Sequence, residues 1–270
     1  MGYLRLAALA LLLAAAGCET RVAHPPAHPA TTPTAAPAAL APVAVAALAA
    51  PGPELAAPIR YELLREARSG AGCAGGASLA ASHTFLHLLG PDTLRPALRR
   101  LQCPLPAQRR GLVQEELQAL SCENEELGYD SSLEVTFNTA GLLSLVVTES
   151  SYSGGPYPNN SSTLTTYDLA TGRACPPEQW LRPGSEPALR RLLARALQAD
   201  SIGRALWPDS APALTGPLPE LGLCPQGTFC LLGSLGAPHV AEQARLLLPW
   251  AVLRPYVRPG SPLARALAAR

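Results

Sequence analysis

Residues 131–181 constrain the fold most, because they contain three strand-like runs separated by turn residues. Residues 133–137 alternate apolar and polar side chains, which predicts a strand with one buried face and one solvated face. Asn138 and Gly141 lie in the turn that follows, and both residue types tolerate positive φ. We therefore expect an antiparallel hairpin at the centre of the chain.

Other runs extend this hairpin into a sheet. Residues 142–148 are almost continuously apolar, which predicts a central strand, and residues 163–169 are rich in β-branched side chains. Further strands are predicted at residues 59–67, 78–90, 221–223, 228–232 and 245–248, and helices at residues 92–100, 109–121, 184–197 and 250–256. Leucines recur at helical spacing in the first and third of these helices, which predicts one buried apolar face on each. Strands and helices alternate without the regular βαβ period, so we predict a single α+β domain with a mainly antiparallel sheet.

The first 17 residues resemble an export signal. One arginine precedes an apolar run that ends in small residues and is too short for a normal membrane span. Ala15, Ala16 and Gly17 lead directly to Cys18, an order that resembles the lipobox of bacterial lipoproteins, although leucine is commoner at the position of Ala15. We expect a lipid on Cys18 that anchors the protein to a membrane of the bacterial cell envelope. The alternative is an ordinary cleaved signal followed by an incidental cysteine.

Residues 18–56 are rich in proline and alanine and have neither helical nor strand periodicity. Such a segment cannot bury enough varied apolar surface to fold, and proline favours extended conformations. We interpret these residues as a disordered tether and residues 57–270 as the folded domain.

The overall charge argues against a nucleic-acid partner. The 270-residue chain has a formal net charge of +1, and all 21 of its basic side chains are arginines. No block of like charge occurs that would suit a polyanion. A GC-rich genome explains the missing lysine most simply.

The cysteines favour disulfide bonds. Of seven cysteines, six remain if Cys18 carries a lipid, and an even number in an exported chain favours disulfides over metal binding. Cys224 and Cys230 flank a predicted hairpin, so we expect them to pair first. The other four allow three pairings, which the sequence leaves open; the weakly favoured pairs are Cys73–Cys103 and Cys122–Cys175.

The candidates for catalysis are weak. His83 and His87 have the spacing of metalloprotease helices, but Thr84 stands where the general-base glutamate belongs, and on a strand the two histidines would lie about 13 Å apart. An acidic cluster is better explained as a solvated loop than as an acid–base pair; it consists of Glu123, Glu125, Glu126 and Asp130. We therefore predict no enzyme activity, no metal and no cofactor.

The loop at residues 150–160 has the composition of a binding site. It presents tyrosine and asparagine side chains on a backbone shaped by glycine and proline, and such loops suit recognition. Its candidate binding residues are Tyr152, Gly154, Gly155, Tyr157 and Asn159. The alternative is that glycine and proline only shape a strand connection while the tyrosines cover the core.

Three motifs together resemble the extracellular domain family of the RsiV-type anti-sigma factor, a domain of unknown function that also occurs in bacterial lipoproteins. They are Asn138-x-x-Gly141-Leu142-Leu143-Ser144-Leu145, Tyr152-Ser153-Gly154-Gly155-x-x-Pro158-Asn159 and Tyr167-Asp168-Leu169-x-Thr171-Gly172. The segment around His239 and the closing segment at residues 248–256 also resemble the family, and His239 joins the candidate binding residues.

The resemblance implies an α+β envelope domain without enzymatic activity, similar to a lysozyme-sensing receptor. Pro156 and Tyr157 stand where the family usually has alanine and histidine, so no histidine-dependent role is carried over. The cytoplasmic sigma-binding segment and spanning helix of RsiV are not recognisable in the sequence, so signalling through a sigma factor is not implied.

These observations favour a lipid-anchored, non-catalytic binding module on the periplasmic face or cell surface. Its expected partner is an envelope protein or a peptidoglycan ligand. Two alternatives remain open, a cell-wall-modifying enzyme and a purely structural envelope lipoprotein.

Overall fold

A computed structural model describes residues 58–72, 78–120, 127–139, 141–153, 158–209, 214, 217–238 and 241–268. In this part of the chain the strands form two sheets. The larger sheet has the order β1 (Tyr61–Gly72), β2 (Ser78–Leu88), β3 (Gly128–Thr139), β4 (Leu142–Tyr152), β5 (Asn159–Asp168) and β6 (Arg173–Ala174). The smaller sheet has the order β7 (Gly222–Cys224), β8 (Gly227–Leu231) and β9 (Arg245–Pro249).

Short helices surround the two sheets. The α-helices are α1 (Pro106–Ala119), α2 (Pro177–Trp180), α3 (Glu186–Ala199), α4 (Ser201–Leu206), α5 (Trp250–Leu253) and α6 (Pro262–Ala268). The 3-10 helices are Gly90–Leu94, Pro96–Leu101, Leu232–Leu235 and Arg254–Tyr256. The α+β prediction is therefore confirmed. Among the residues described, none of the helices has both the length and the apolar composition needed to cross a bilayer.

The predicted central hairpin is present. β3 and β4 pair antiparallel up to Thr139 opposite Leu142, and Gly141 takes a positive φ of 84° in the turn. β4 lies between β3 and β5, and its first five side chains are all buried. Burial on both faces explains why this strand has a continuous apolar run rather than an alternating one.

The larger sheet opens between β2 and β3. These two strands pair in parallel over four residues only, from Ala80 opposite Gly128 to His83 opposite Ser131. Beyond these four residues, an apolar cluster connects the end of β2 that is not paired with β3 to β4; its buried members are Ile59, Leu86, Leu88, Leu98, Leu143, Leu145 and Leu169. The side chain of Asn138 also bonds both backbone groups of Ile59, at 3.0 and 2.8 Å.

The main core lies around the smaller sheet. The apolar stripe of α3 is buried there as predicted, through Leu189, Leu192, Leu193 and Leu197. Trp180 is fully buried in the same cluster together with Leu246 and Leu248 of β9. The closing segment 250–256 is helical as predicted, but it divides into α5 and a 3-10 turn.

A buried serine connects the two sheets. Ser144 lies in the apolar run of β4 with no exposed surface. Its Oγ accepts a hydrogen bond from the backbone N–H of Leu223 in β7 at 3.0 Å and another from Thr166 Oγ1 at 3.1 Å. The hydroxyl thus satisfies two donors that packing removes from water.

The predicted helix at residues 92–100 is wrong. Two 3-10 helices occupy this region, and Arg95 between them is extended, with φ −72° and ψ 117°. Arg95 precedes Pro96, whose ring disfavours helical geometry at the preceding residue. As a result Leu94 is 80% exposed whereas Leu98 is fully buried, so these leucines do not share one buried face.

The predicted Cys224–Cys230 disulfide is wrong, because both thiols are free. Cys224 pairs in register with Gly227, which places it on the same face as Phe229, whereas Cys230 points to the opposite face. Cys224 packs beside Phe229, and Cys230 is buried in the main core. The two thiols therefore lie on opposite faces of the smaller sheet.

The structure also corrects the other two predicted disulfides. Cys103 and Cys175 are free thiols, so neither Cys73–Cys103 nor Cys122–Cys175 forms. Cys73 and Cys122 themselves lie outside the described residues. Burial raises the pKa of Cys175 to about 11 and that of Cys230 to about 12, which keeps both thiols protonated and unreactive at neutral pH.

Candidate functional site

A cleft of about 320 Å³ lies where β1, β2, β3 and β4 come together. Its polar lining consists of Arg65, Arg68, Ser69, Ser82, Asp130, Ser150 and Tyr152. Ser82 and Ser150 stand opposite Asp130 on either side of β3, so their side chains share one face of the sheet. The short parallel pairing of β2 with β3 is what brings these side chains together.

An exposed tyrosine side chain forms one edge of the cleft. Tyr152 stands opposite Gly128, and its side chain is 41% exposed. A Cβ on Gly128 would lie 3.7 Å from the Cβ of Tyr152, so the glycine leaves the space beside the tyrosine open. The ring therefore offers an apolar surface with a hydroxyl at its tip.

The cleft also contains a hydrogen-bonded charge pair. Arg65 Nη2 lies 3.0 Å from both Asp130 Oδ1 and Ser82 Oγ, and Ser82 Oγ donates to Asp130. The Arg65 and Asp130 side chains are 66% and 40% exposed, so their ion pair contributes little to stability. Its main effect is to hold these two side chains in a fixed orientation. Arg68 is also exposed, and it forms no hydrogen bond or ion pair with any described residue.

The structure tests the predicted binding residues in part. Tyr152 lines the cleft, and Asn159 is the exposed first residue of β5, opposite Ser151. The remaining candidates lie outside the described residues; they are Cys18, Gly154, Gly155, Tyr157 and His239.

The acidic cluster needs a correction. Asp130 belongs to β3, where it is half-buried and bonded to Arg65 and Ser82, rather than to a solvated loop. Glu123, Glu125 and Glu126 lie outside the described residues.

A buried histidine lies on the opposite face of the same strands. His83 is 6% exposed, its ring centroid is 5.3 Å from that of Tyr129, and its Nε2 has no hydrogen-bond partner among the described residues. This face is covered by α1, whose Val113 and Leu117 pack on Ala81. Burial raises the pKa of Tyr129, as do the nearby Glu149 and Glu116. Burial and Glu149 also raise the pKa of Glu116.

His83 is expected to make stability depend on pH. Burial lowers its pKa below 6.5, although Glu149 and Asp130 act in the opposite direction. The unfolded chain therefore binds the proton more readily, and stability falls as the pH drops below about 6.5. We expect a loss of up to about 1 kcal/mol per pH unit between pH 6.5 and 5.5.

Urea denaturation of the wild type and of His83→Phe at several pH values measures this effect. The phenylalanine keeps an aromatic ring beside Tyr129 but cannot bind a proton, so the variant should lose stability less steeply over this interval. Equal slopes for the two proteins would show that other groups cause the pH dependence. Besides Glu149, Asp130 and Tyr129, charged groups stand on the two elements next to His83; they are Glu62, Arg65, Glu66 and Arg68 on β1 and Arg109, Arg110, Glu115 and Glu116 on α1.

The arrangement suits binding of a polar ligand. Ser82 and His83 are consecutive on a strand, so their side chains point to opposite faces and do not form a nucleophile–base pair. His83 and His87 lie on strand β2, and His87 Nε2 is 3.9 Å from Glu62 Oε1. Among the described residues no group of histidine, cysteine and carboxylate side chains is placed to hold a metal ion.

Sequence reasoning missed the charged half of the cleft. The strands at residues 59–67 and 78–90 were predicted, but their pairing with each other and with β3 was not. A parallel pairing between β2 and β3, which are separated by helices and by about 40 residues, leaves no local signal in the sequence.

No protein-family model and no curated protein matches the sequence. Crystal structures do match the fold, and two of them show the extent of the likeness. A DUF3298 family protein from Pseudomonas aeruginosa PAO1 is 20% identical with a TM-score of 0.57, over 76% of this chain and 97% of that protein. A member of the same family from Bacteroides fragilis is 16% identical with a TM-score of 0.59, over 78% and 98%.

The fold is that of the DUF3298 proteins. At these identities the likeness establishes the architecture only, and the chemistry of the cleft depends on the residues of this chain. Within the DUF3298 fold of this protein, the cleft is formed by the larger sheet, and β4, its central strand, contributes Tyr152 and Ser150.

Proposed function

We propose that this protein is a non-catalytic binding module of the bacterial envelope, anchored by a lipid on Cys18. Its partner is an envelope protein or a cell-wall glycan, which it engages through the cleft at β1–β4. The observation that carries the proposal is the cleft, which the exposed side chain of Tyr152 lines together with the hydrogen-bonded group of Arg65, Asp130 and Ser82.

The chemistry of these groups supports recognition. Tyrosine and arginine contribute disproportionately to binding energy, because each combines a large contact area with hydrogen-bond donors. The Arg65–Asp130–Ser82 bonds hold polar atoms in place before a ligand arrives, which reduces the entropy lost on binding.

The finer proposal is that the domain is of the RsiV type. It is supported by the motifs around Asn138, Tyr152 and Tyr167 and is compatible with the DUF3298 fold. The resemblance makes lysozyme the natural protein probe, and soluble peptidoglycan fragments represent the glycan alternative.

Substitutions in the cleft test the proposal. We expect the purified full chain to bind lysozyme or peptidoglycan fragments, and Tyr152→Ala and Arg65→Ala each to weaken binding about tenfold, equivalent to about 1.4 kcal/mol. Isothermal titration calorimetry measures the change. Both side chains are exposed, so neither substitution should lower the melting temperature appreciably.

Arg191→Ala is the matched control, because Arg191 is an exposed arginine on α3 and does not line the cleft. Its affinity should equal that of the wild type. Failure to bind either probe, or full binding by a Tyr152→Ala/Arg65→Ala double variant, would contradict the proposed site.

A further inference from the structure

Among the described residues, no strand pairs with the outer edge of β5 along most of its length. β6 pairs with β5 only at Tyr167 and Asp168, and the ladder ends at a bond of 2.7 Å from Cys175 N–H to Thr166 C=O. Pro176 and Pro177 follow, and proline has no N–H with which to continue a ladder. In the part of the chain that the structure describes, the rest of β5, from Asn159 to Leu164, therefore has a strand neighbour on one side only.

The open edge presents backbone groups ready for pairing. A carboxylate oxygen of Glu220 accepts the N–H of Leu164 at 2.9 Å, in place of a neighbouring strand. Alternate residues of a strand point their backbone groups to the same edge, so both groups of Asn160 and Ser162 point outward, as does the C=O of Leu164. None of these five groups is bonded to any described residue.

The opposite edge of the sheet is protected differently. β1 places charges along its edge at Glu62, Arg65, Glu66 and Arg68, a common device against unwanted pairing. The segment from Asn159 to Thr165 is Asn-Asn-Ser-Ser-Thr-Leu-Thr and has neither charge nor proline. This segment of β5 thus lacks the charged side chains and prolines that commonly prevent strand addition.

A pocket of about 290 Å³ lies at the end of this edge. Its apolar wall includes Leu164, Leu218 and Leu221, and its charged groups are the exposed carboxylates of Glu178 and Glu220. No basic side chain is among the described residues that line it. A peptide strand lying along β5 would place a side chain here, where a cation is favoured.

We propose that the edge of β5 at residues 160–164 is a docking site for an extended peptide, which adds a strand to the larger sheet and places an arginine or lysine in the pocket beside Glu178 and Glu220. Backbone hydrogen bonds would supply affinity, and the acidic pocket would supply selectivity. This surface is separate from the proposed binding cleft, so either can fail without the other.

The test uses the full chain and a defined probe, an acetylated, fluorescein-labelled hexapeptide of alternating threonine and valine that ends in arginine amide. Fluorescence anisotropy should show saturable binding, at least about tenfold tighter than for the same peptide ending in glutamate. Hydrogen exchange at Asn160 and Ser162 should slow when the peptide binds, because their N–H groups become paired.

Asn160→Pro is the decisive variant. The N–H it removes points to the open edge, so the bonds between β4 and β5 remain, and the peptide should bind at least about tenfold more weakly. Asn160→Ala keeps the N–H and should bind like the wild type. A Glu178→Gln/Glu220→Gln double variant should lose most of the preference for arginine over glutamate while still accepting the N–H of Leu164.

The proposal is overturned if no saturable binding occurs, or if Asn160→Pro binds the peptide as well as Asn160→Ala. It is also overturned if the edge is already taken by a second copy of the chain, which sedimentation equilibrium would reveal as a dimer abolished by Asn160→Pro. Tyr152→Ala should leave peptide binding unchanged, and this separates the edge from the proposed function of the cleft.

Discussion

Gly172→Ala is expected to destabilise the domain by about 2–5 kcal/mol, for two reasons that add. Gly172 has a φ of +64°, where a Cβ costs about 1–2 kcal/mol. The new methyl group would also overlap the backbone carbonyl oxygen of Ala97, and overpacking of this kind costs about 1–3 kcal/mol. The turn after β5 and the 3-10 helix Pro96–Leu101 would have to move apart.

Gly184→Ala separates the two contributions. Gly184 also has a positive φ, +75°, but nothing lies within 4 Å of a Cβ there. This control should lose only about 1 kcal/mol. Urea and thermal denaturation compare the two variants, and equal losses would show that the contact with Ala97 relaxes without cost.

Ser144→Ala is expected to cost about 2–4 kcal/mol although it removes a single oxygen. The substitution leaves the N–H of Leu223 and the hydroxyl of Thr166 without their acceptor in a buried position. Each unsatisfied buried donor costs about 1–3 kcal/mol. The loss should appear as a lower free energy of unfolding, and it should weaken the contact between the two sheets.

Thr166→Val is the matched control, because it has nearly the same shape and removes only one donor. Ser144 then still accepts the N–H of Leu223, and the expected loss is below about 1.5 kcal/mol. If Thr166→Val is as destabilising as Ser144→Ala, the bond from Leu223 does not contribute to joining the sheets.

The two proposed surfaces use different parts of one sheet. The cleft depends on side chains at the junction of β2 with β3, whereas the edge of β5 depends on backbone groups that the short β6 leaves unpaired. A partner at the cleft is recognised by tyrosine and arginine side chains. A partner at the edge needs an extended backbone and a positive charge.

Much of the fold was predictable because its signals are local. Alternation at residues 133–137, the turn at Gly141 and the apolar run of β4 predicted the hairpin and the central place of β4, and the leucine stripe predicted the buried face of α3. The helix at residues 92–100 failed because the effect of Pro96 on Arg95 outweighs a helical spacing of leucines.

The candidate site was predictable only in its tyrosine. Tyr152 stood out by composition, and it does line the cleft. Its neighbours Arg65, Ser82 and Asp130 lie far apart in the chain, and their meeting depends on which strands pair and in what register. The Cys224–Cys230 disulfide was predicted wrongly for the same reason, because the sequence does not show which face of the sheet each thiol occupies.

The sequence alone determined the α+β class and the hairpin at residues 133–148, since alternation, turn residues and helical stripes act within a few residues of each other. Only the tertiary structure decided that β2 joins β3 in parallel, that Ser144 connects the two sheets and that most of the β5 edge has no strand partner among the described residues. These features depend on contacts between distant residues, whose pairing is set by the burial of the whole core rather than by any local pattern.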